Sequence, residues 1–167
     1  SFPSPTTNPL VSIAMVSPTE GWATGEPNII LGSIFHYTNG SWQSVPSPTF
    51  QPLNSVAMTS ANEGWAVGDD TILRYTNGSW ASVPNPTNNS LASIYMLSPD
   101  EGWAVGDGIL HYTNGNWVSY PISTTSFLNS VYMVSPVEGW AVGGGDPYLR
   151  GTVAILHYTN GVWESVA

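Results

Sequence analysis

The chain has 167 residues, 41% of them hydrophobic and 12% aromatic, which is long enough for a core and too apolar for a disordered segment. Lysine and arginine together number 2 against 11 acidic residues, a formal charge of -9, so no cationic track can follow phosphates or anionic lipid, and nucleic acid is not expected as a partner. Cysteine is absent and only 3 histidines are present, which removes disulfide and thiolate chemistry and leaves no dense metal-ligand cluster, so no cofactor is expected.

Charged residues make up only 8% of the chain, and Ser, Thr, Asn, Gly and Pro carry most of its polarity. That balance points to a secreted or cell-surface β protein. No apolar run approaches the ~20 residues of a membrane span, so membrane insertion is not expected.

One pattern recurs four times, as Leu10–Trp22, Leu53–Trp65, Leu91–Trp103 and Leu128–Trp140. Each copy continues through Ala-Val/Thr-Gly to Tyr-Thr-Asn-Gly-x-Trp. The starting leucines lie 43, 38 and 37 residues apart, the length of one small four-stranded sheet.

In the first copy a strand is expected from about Leu10 to Ser17, with Ile13 and Met15 on one face and Ser12 and Ala14 on the other. It ends at the turn Ser17-Pro18-Thr19-Glu20-Gly21. A short second strand follows at Trp22–Thr24, a third at Ile34–Thr38, and a fourth begins at Trp42 and stops where Pro46 removes a ladder donor. Between the third and fourth strands every copy has Asn-Gly (Asn39-Gly40, Asn77-Gly78, Asn114-Gly115, Asn160-Gly161), the pair suited to the positive φ angles of a type I′ hairpin.

Four antiparallel strands per copy describe a propeller blade. A blade exposes apolar surface on both faces and must stack on neighbours, usually 4 to 8 around an axis. The expected class is therefore an all-β propeller, or a segment of one, spanning 1–167, with blades at about 10–52, 53–90, 91–127 and 128–167. A β-solenoid is the alternative. Ser1–Thr6 matches Ser44–Thr49, and Trp163–Ala167 stops at the same phase, which reads as four copies cut inside the fourth strand. Of the two ways to complete such a set, closure of four blades on themselves or membership of a larger ring through a longer parent or self-association, the second is expected.

The segments Ser98–Gly106 (Ser-Pro-Asp-Glu-Gly-Trp-Ala-Val-Gly) and Ile109–Trp117 resemble the Trp-Ala-Val-Gly repeats of bacterial propellers related to the photosystem II assembly factor, and the Asp-box repeats of sialidases. The resemblance spans nearly the whole chain and implies the fold; the activities do not follow from it. Sialidases clamp a substrate carboxylate with three arginines, whereas this chain has Arg74 and Arg150 alone, in different copies. The assembly-factor family is expected to use a basic surface, which a chain of charge -9 lacks.

Spacing separates scaffold from variation. The starting Leu and the first Trp are 12 apart in every copy, and the second Trp and the next Leu are 11 apart in all three cases. The two tryptophans of a copy lie 20, 15, 14 and 23 apart, so the connection between second and third strands alone changes, with insertions at 26–33 and 144–152. In an antiparallel blade that connection and the one leading into the next blade emerge at the same end. Loops on a rigid frame are favoured binding positions, which makes Glu26, Asn28, Asp146, Tyr148 and Arg150 the candidate binding residues: acceptors, amides, an aromatic plate and a forked donor. In a ring of these four blades alone the two long loops would be neighbours.

Other polar residues fit scaffold roles. His36, His111 and His157 share one repeat position, held by Arg74 in the second copy, and are read as partly exposed strand side chains. Glu20, Glu63, Glu101 and Glu138 recur in the turn after the first strand, where a carboxylate is expected to accept backbone N–H bonds; a ring of them holding a cation is the functional alternative. Asp69, Asp70 and Asp107 lack the ladder of a calcium loop. The eight tryptophans are sized for packing between blades, or else for stacking sugar rings. Tyr95 and Tyr132 stand where Ala14 and Ala57 stand in the first two copies, either lining a channel or filling a wider core.

No catalytic order of Ser, His and Asp stands out, and no enzyme is expected. The functional expectation is a surface-exposed module that binds protein partners or copies of itself. A propeller lectin with glycan sites between blades and a structural subunit of a surface assembly are the alternatives.

Overall fold

The alternation read above pairs apolar with small polar residues at period two, and the computed structural model turns every such run into a strand. It describes residues 4–27, 34–122, 124–144 and 153–166. Sixteen strands occupy them: β1 Leu10–Ser17, β2 Glu20–Gly25, β3 Ile34–Thr38, β4 Ser41–Ser44, β5 Leu53–Ser60, β6 Glu63–Gly68, β7 Ile72–Thr76, β8 Ser79–Val83, β9 Leu91–Ser98, β10 Glu101–Gly106, β11 Ile109–Thr113, β12 Asn116–Tyr120, β13 Leu128–Ser135, β14 Glu138–Gly143, β15 Ala154–Thr159 and β16 Val162–Ser165. They form four four-stranded antiparallel meanders in chain order, one per repeat.

The first and third strands of the first repeat lie where the sequence puts them. The second runs longer than expected, Glu20–Gly25 rather than Trp22–Thr24. Glu20 and Gly21 are poor strand formers by composition, but Glu20 pairs with Thr38 and Gly21 with Tyr37, so the ladder carries them. Each hairpin between third and fourth strands turns through Asn and Gly at positive φ, for example Asn114 at 51° and Gly115 at 80°. That is the type I′ signature.

The chain gathers into two compact units, Ser1–Pro84 and Asn85–Ala167, each holding two blades. In the first unit the core is the seam between its blades. Trp22 and Ile34 of the first blade meet Leu53, Val56, Ala66, Leu73, Tyr75 and Trp80 of the second, with Ala14 and Val16 at the margin. The second unit repeats this seam: Trp103, Val105 and Ile109 meet Leu128, Val131, Met133, Ala141, Leu156, Tyr158 and Trp163.

The leading tryptophan is the central member of each seam. Trp22 lies 4.6 Å from Tyr75 and 5.4 Å from Trp80, centroid to centroid, the latter edge-on at 80°. Trp103 meets Tyr158 at 4.8 Å and Trp163 at 5.6 Å and 81°. Edge-to-face aromatic pairs contribute about 0.5–1.5 kcal/mol beyond the area they bury. A polar stitch accompanies the rings: the Val56 N–H donates to Ser12 Oγ at 3.1 Å, and the Val131 N–H donates to Ser93 Oγ at 3.4 Å. Both units thus use one rule, in which a blade's Trp side enters the Tyr-Trp side of the next.

Candidate functional site

In the first, third and fourth blades, the end that carries the connection between second and third strands is fixed by a repeated backbone bond. The residue after the glycine that closes the second strand donates its N–H to the carbonyl just before the blade's first Leu. The pairs are Glu26 to Pro9 at 3.0 Å, Asp107 to Ser90 at 2.9 Å and Gly144 to Phe127 at 2.7 Å. In the two short repeats the connection closes at once, Gly68 N–H bonding Thr71 O at 3.1 Å and Gly106 N–H bonding Gly108 O at 3.0 Å.

Of the candidate binding residues, Glu26 is placed, exposed at this end of the first blade, beside a bond from Asn8 Nδ2 to Pro27 O of 2.7 Å. Asn28, Asp146, Tyr148 and Arg150 lie outside the described residues. At the same end of the third blade a cleft of about 260 Å³ is lined by Thr87, Asn89, Asp107, Ser119, Tyr120 and Ile122. Asp107 Oδ2 accepts the Ser90 N–H at 3.3 Å, and Asn85 Nδ2 donates to Asn89 O at 3.1 Å. The short connections around this cleft carry no length signal in the sequence. The Asn-rich run 85–90 facing Asp107 is the signal the sequence offers.

The recurring acidic and basic residues find partners other than those expected. The glutamates do not meet turn N–H groups; each reaches the third strand of its own blade. Glu20 lies 3.4 Å from His36 Nε2, Glu63 2.5 Å from Arg74 Nη2, Glu101 2.5 Å from His111 Nε2 and Glu138 3.5 Å from His157 Nε2. Each basic group also lies over its blade's leading Trp: His36 on Trp22 at 4.1 Å, His111 on Trp103 at 3.9 Å, His157 on Trp140 at 4.1 Å, and the Arg74 guanidinium 5.1 Å from the Trp65 ring. The physical reason is register. Glu20 faces Thr38, which places its carboxylate diagonally across from His36 on the same sheet face. A repeat position that alternates His with Arg opposite an unchanging Glu was the signal for this pairing.

Six of the eight tryptophans (22, 65, 80, 103, 117 and 163) are buried, while Trp42 is half-buried and Trp140 is 37% exposed. Tyr95 packs at the margin of the second unit's core, 4.8 Å from the ring of Tyr132, which is exposed. Burial, with the Tyr132 hydroxyl second, pushes the Tyr95 phenol above its ordinary range. Among the described residues no group of three or more His, Asp or Glu could hold a metal ion, and no helix is long and apolar enough to cross a membrane.

Solved structures resemble this one along nearly its whole length. YCF48 bound to D1 peptide matches with a TM-score of 0.71 at 21% identity, covering 96% of this chain and 55% of that one. YCF48 from Cyanidioschyzon merolae matches with 0.71 at 20%, covering 98% and 58%. The extracellular domain of a hybrid two component system from B. thetaiotaomicron matches with 0.69 at 13%, covering 97% and 25%. The chain spans little more than half of each YCF48 chain. These likenesses, with the four antiparallel meanders, establish a β-propeller fold. No protein-family model and no curated protein sequence matches the chain.

Proposed function

We propose that the chain is a non-catalytic, extracellular or surface-exposed binding module that engages a protein partner through the loop-bearing end of its blades. The observation that carries this reading is the fixed anchor: Glu26 to Pro9, Asp107 to Ser90 and Gly144 to Phe127 keep one geometry. The connections that leave the anchors differ in length from copy to copy. A frame held constant beneath variable loops is the arrangement of a recognition surface.

Three further points support it. His36, Arg74, His111 and His157 each lie within ion-pair distance of a glutamate of their own blade. One similar structure is named for a bound peptide and another as an extracellular domain. Most tryptophans are buried between strands rather than offered as sugar platforms.

The test is selection of a displayed random-peptide library on the immobilised chain, beside a glycan array. Convergence on a peptide motif, lost when 144–152 is cut to the length of the third repeat's connection, supports the reading. Glycan binding that survives the cut overturns it in favour of the lectin.

A further inference from the structure

The seam inside each unit has two halves. One is the leading-Trp half, made in the third blade by Trp103, Val105 and Ile109. The other is the Tyr-Trp half, made in the fourth blade by Val131, Met133, Tyr158 and Trp163. Both halves recur in every repeat, and among the described residues one half of the first blade and one half of the fourth are exposed.

The first blade opens its Tyr-Trp half. Leu10 is 42% exposed where Leu53 and Leu128 are at 0%; Ile13 is 61% exposed where Val56 and Val131 are at 5%; Met15 is 48% exposed where Met133 is at 1%. Over Leu10 and Ile13 runs a groove of about 440 Å³ reaching Trp42. The fourth blade opens its leading-Trp half. Trp140 is 37% exposed where Trp22 and Trp103 are at 1% and 0%; Val142 and Ile155 are each 43% exposed where Val105 and Ile109 are at 0% and 1%.

With Tyr132 and Val134, these two faces hold eight of the sixteen large hydrophobic side chains exposed among the described residues; the fourth blade's face also carries Glu138 beside His157 and Glu164 across from it. Apolar side chains gathered on one face in this way mark an interaction surface, and the internal seams accept a glutamate at the same place, Glu20 beside His36 and Glu101 beside His111.

We propose that these faces are the two halves of one interface, and that the occupant of each is a second copy of this chain, joined head to tail, fourth blade onto first. The internal seams supply the template. Trp140 takes the place of Trp22 and Trp103 and enters between Tyr37 and Trp42 of the partner, as they enter between Tyr75 and Trp80 and between Tyr158 and Trp163. Ser130 occupies the repeat position of Ser12 and Ser93, so its Oγ accepts the partner's Ile13 N–H as theirs accept those of Val56 and Val131. The halves differ, so the contact is heterologous. Two copies satisfy both halves of each and bring eight blades together, within the usual range, whereas an unclosed series would grow into filaments. This surface is the flank of the strands, whereas the proposed function rests on the loop-bearing ends that adjoin it at Pro9 and Gly144.

Light scattering after size exclusion measures it on the intact chain. The expected mass is twice the 17.8 kDa of one chain. Ile13→Glu and Val142→Glu, both at exposed positions, each reduce it two-fold while circular dichroism stays that of the parent. An equimolar mixture of the two variants regains a two-chain species through its one intact pair of faces. A parent that stays at 17.8 kDa at the highest soluble concentration overturns the proposal, as does a mixture that stays monomeric. Because the chain has no cysteine, a second readout avoids destabilising charge. Ser130→Cys and Ile13→Cys chains, mixed and oxidised, give a mixed disulfide-linked pair in excess of either self-pair. Self-pairs alone would show that like faces meet and would also overturn it.

Discussion

The indole of Trp103 lies flat on the imidazole of His111, centroids 3.9 Å apart and planes 11° from parallel, while Glu101 holds the far nitrogen of that imidazole at 2.5 Å. Tyr158 and Trp163 close on the indole's other side. The ring is completely buried, so Trp103→Ala should lower stability by about 3–5 kcal/mol. His111→Ala removes one stacking partner and should cost about 0.5–1.5 kcal/mol. Urea unfolding followed by circular dichroism reads both. Equal losses, or a loss near zero for Trp103→Ala, would contradict the packing described.

Thr24 carries a defect that the other repeats avoid. It is the one fully buried polar side chain among the described residues, and its hydroxyl has no hydrogen-bond partner. The equivalent positions are Val67, Val105 and Val142. A buried unsatisfied hydroxyl costs about 1–3 kcal/mol, and valine has nearly the same shape. Thr24→Val should therefore raise stability by roughly 1 kcal/mol or more, seen as a higher urea midpoint with an unchanged slope. A lower midpoint would mean that the hydroxyl is satisfied in solution.

What the sequence made legible follows from the range of the forces involved. Asn114-Gly115 announces its hairpin because positive φ is a requirement of two adjacent residues, and Leu91–Ser98 announces its strand by local alternation. Glu101 and His111 were read singly because their meeting depends on the register of β10 against β11, which no single residue displays. The connections after Glu26 and Gly144 obey no repeat rule, so the sequence marked them as variable and gave no geometry. The exposure of Ile13 against the burial of Val56 was beyond reach, since the two residues are chemically alike and differ only in whether a blade covers them.

Two glycines test two different constraints. Gly115 sits at φ 80° with open space around any added Cβ, so Gly115→Ala meets only backbone strain and should cost about 1–2 kcal/mol. A Cβ on Gly106 would fall onto the Ser90 carbonyl and the Leu91 Cα, which the ladder holds in place. Gly106→Ala should cost more, about 3 kcal/mol at the upper end of overpacking losses, and should loosen the neighbouring anchor from Asp107 to Ser90. Hydrogen exchange at the Asp107 amide separates the cases: faster in Gly106→Ala, unchanged in Gly115→Ala.

Tyr158 gives the fold an alkaline limit. Burial, followed by the hydrogen bond with Tyr120, pushes its phenol up to about 12 from an ordinary value of 10.0. Tyr75, at the same position in the second repeat, moves the same way, with burial first and the Glu20 charge second. The folded chain then holds phenolic protons that the unfolded chain releases, so stability is independent of these groups below pH ~10 and falls as pH rises from there toward 12. Tyr158→Phe keeps the ring and removes the ionisation. Its urea midpoint should fall less than the parent's between pH 10 and 12, and the double variant with Tyr75→Phe less again. Parallel decline in all three would show that these phenols titrate alike in the folded and unfolded chain, which their burial against Trp22 and Trp103 argues against.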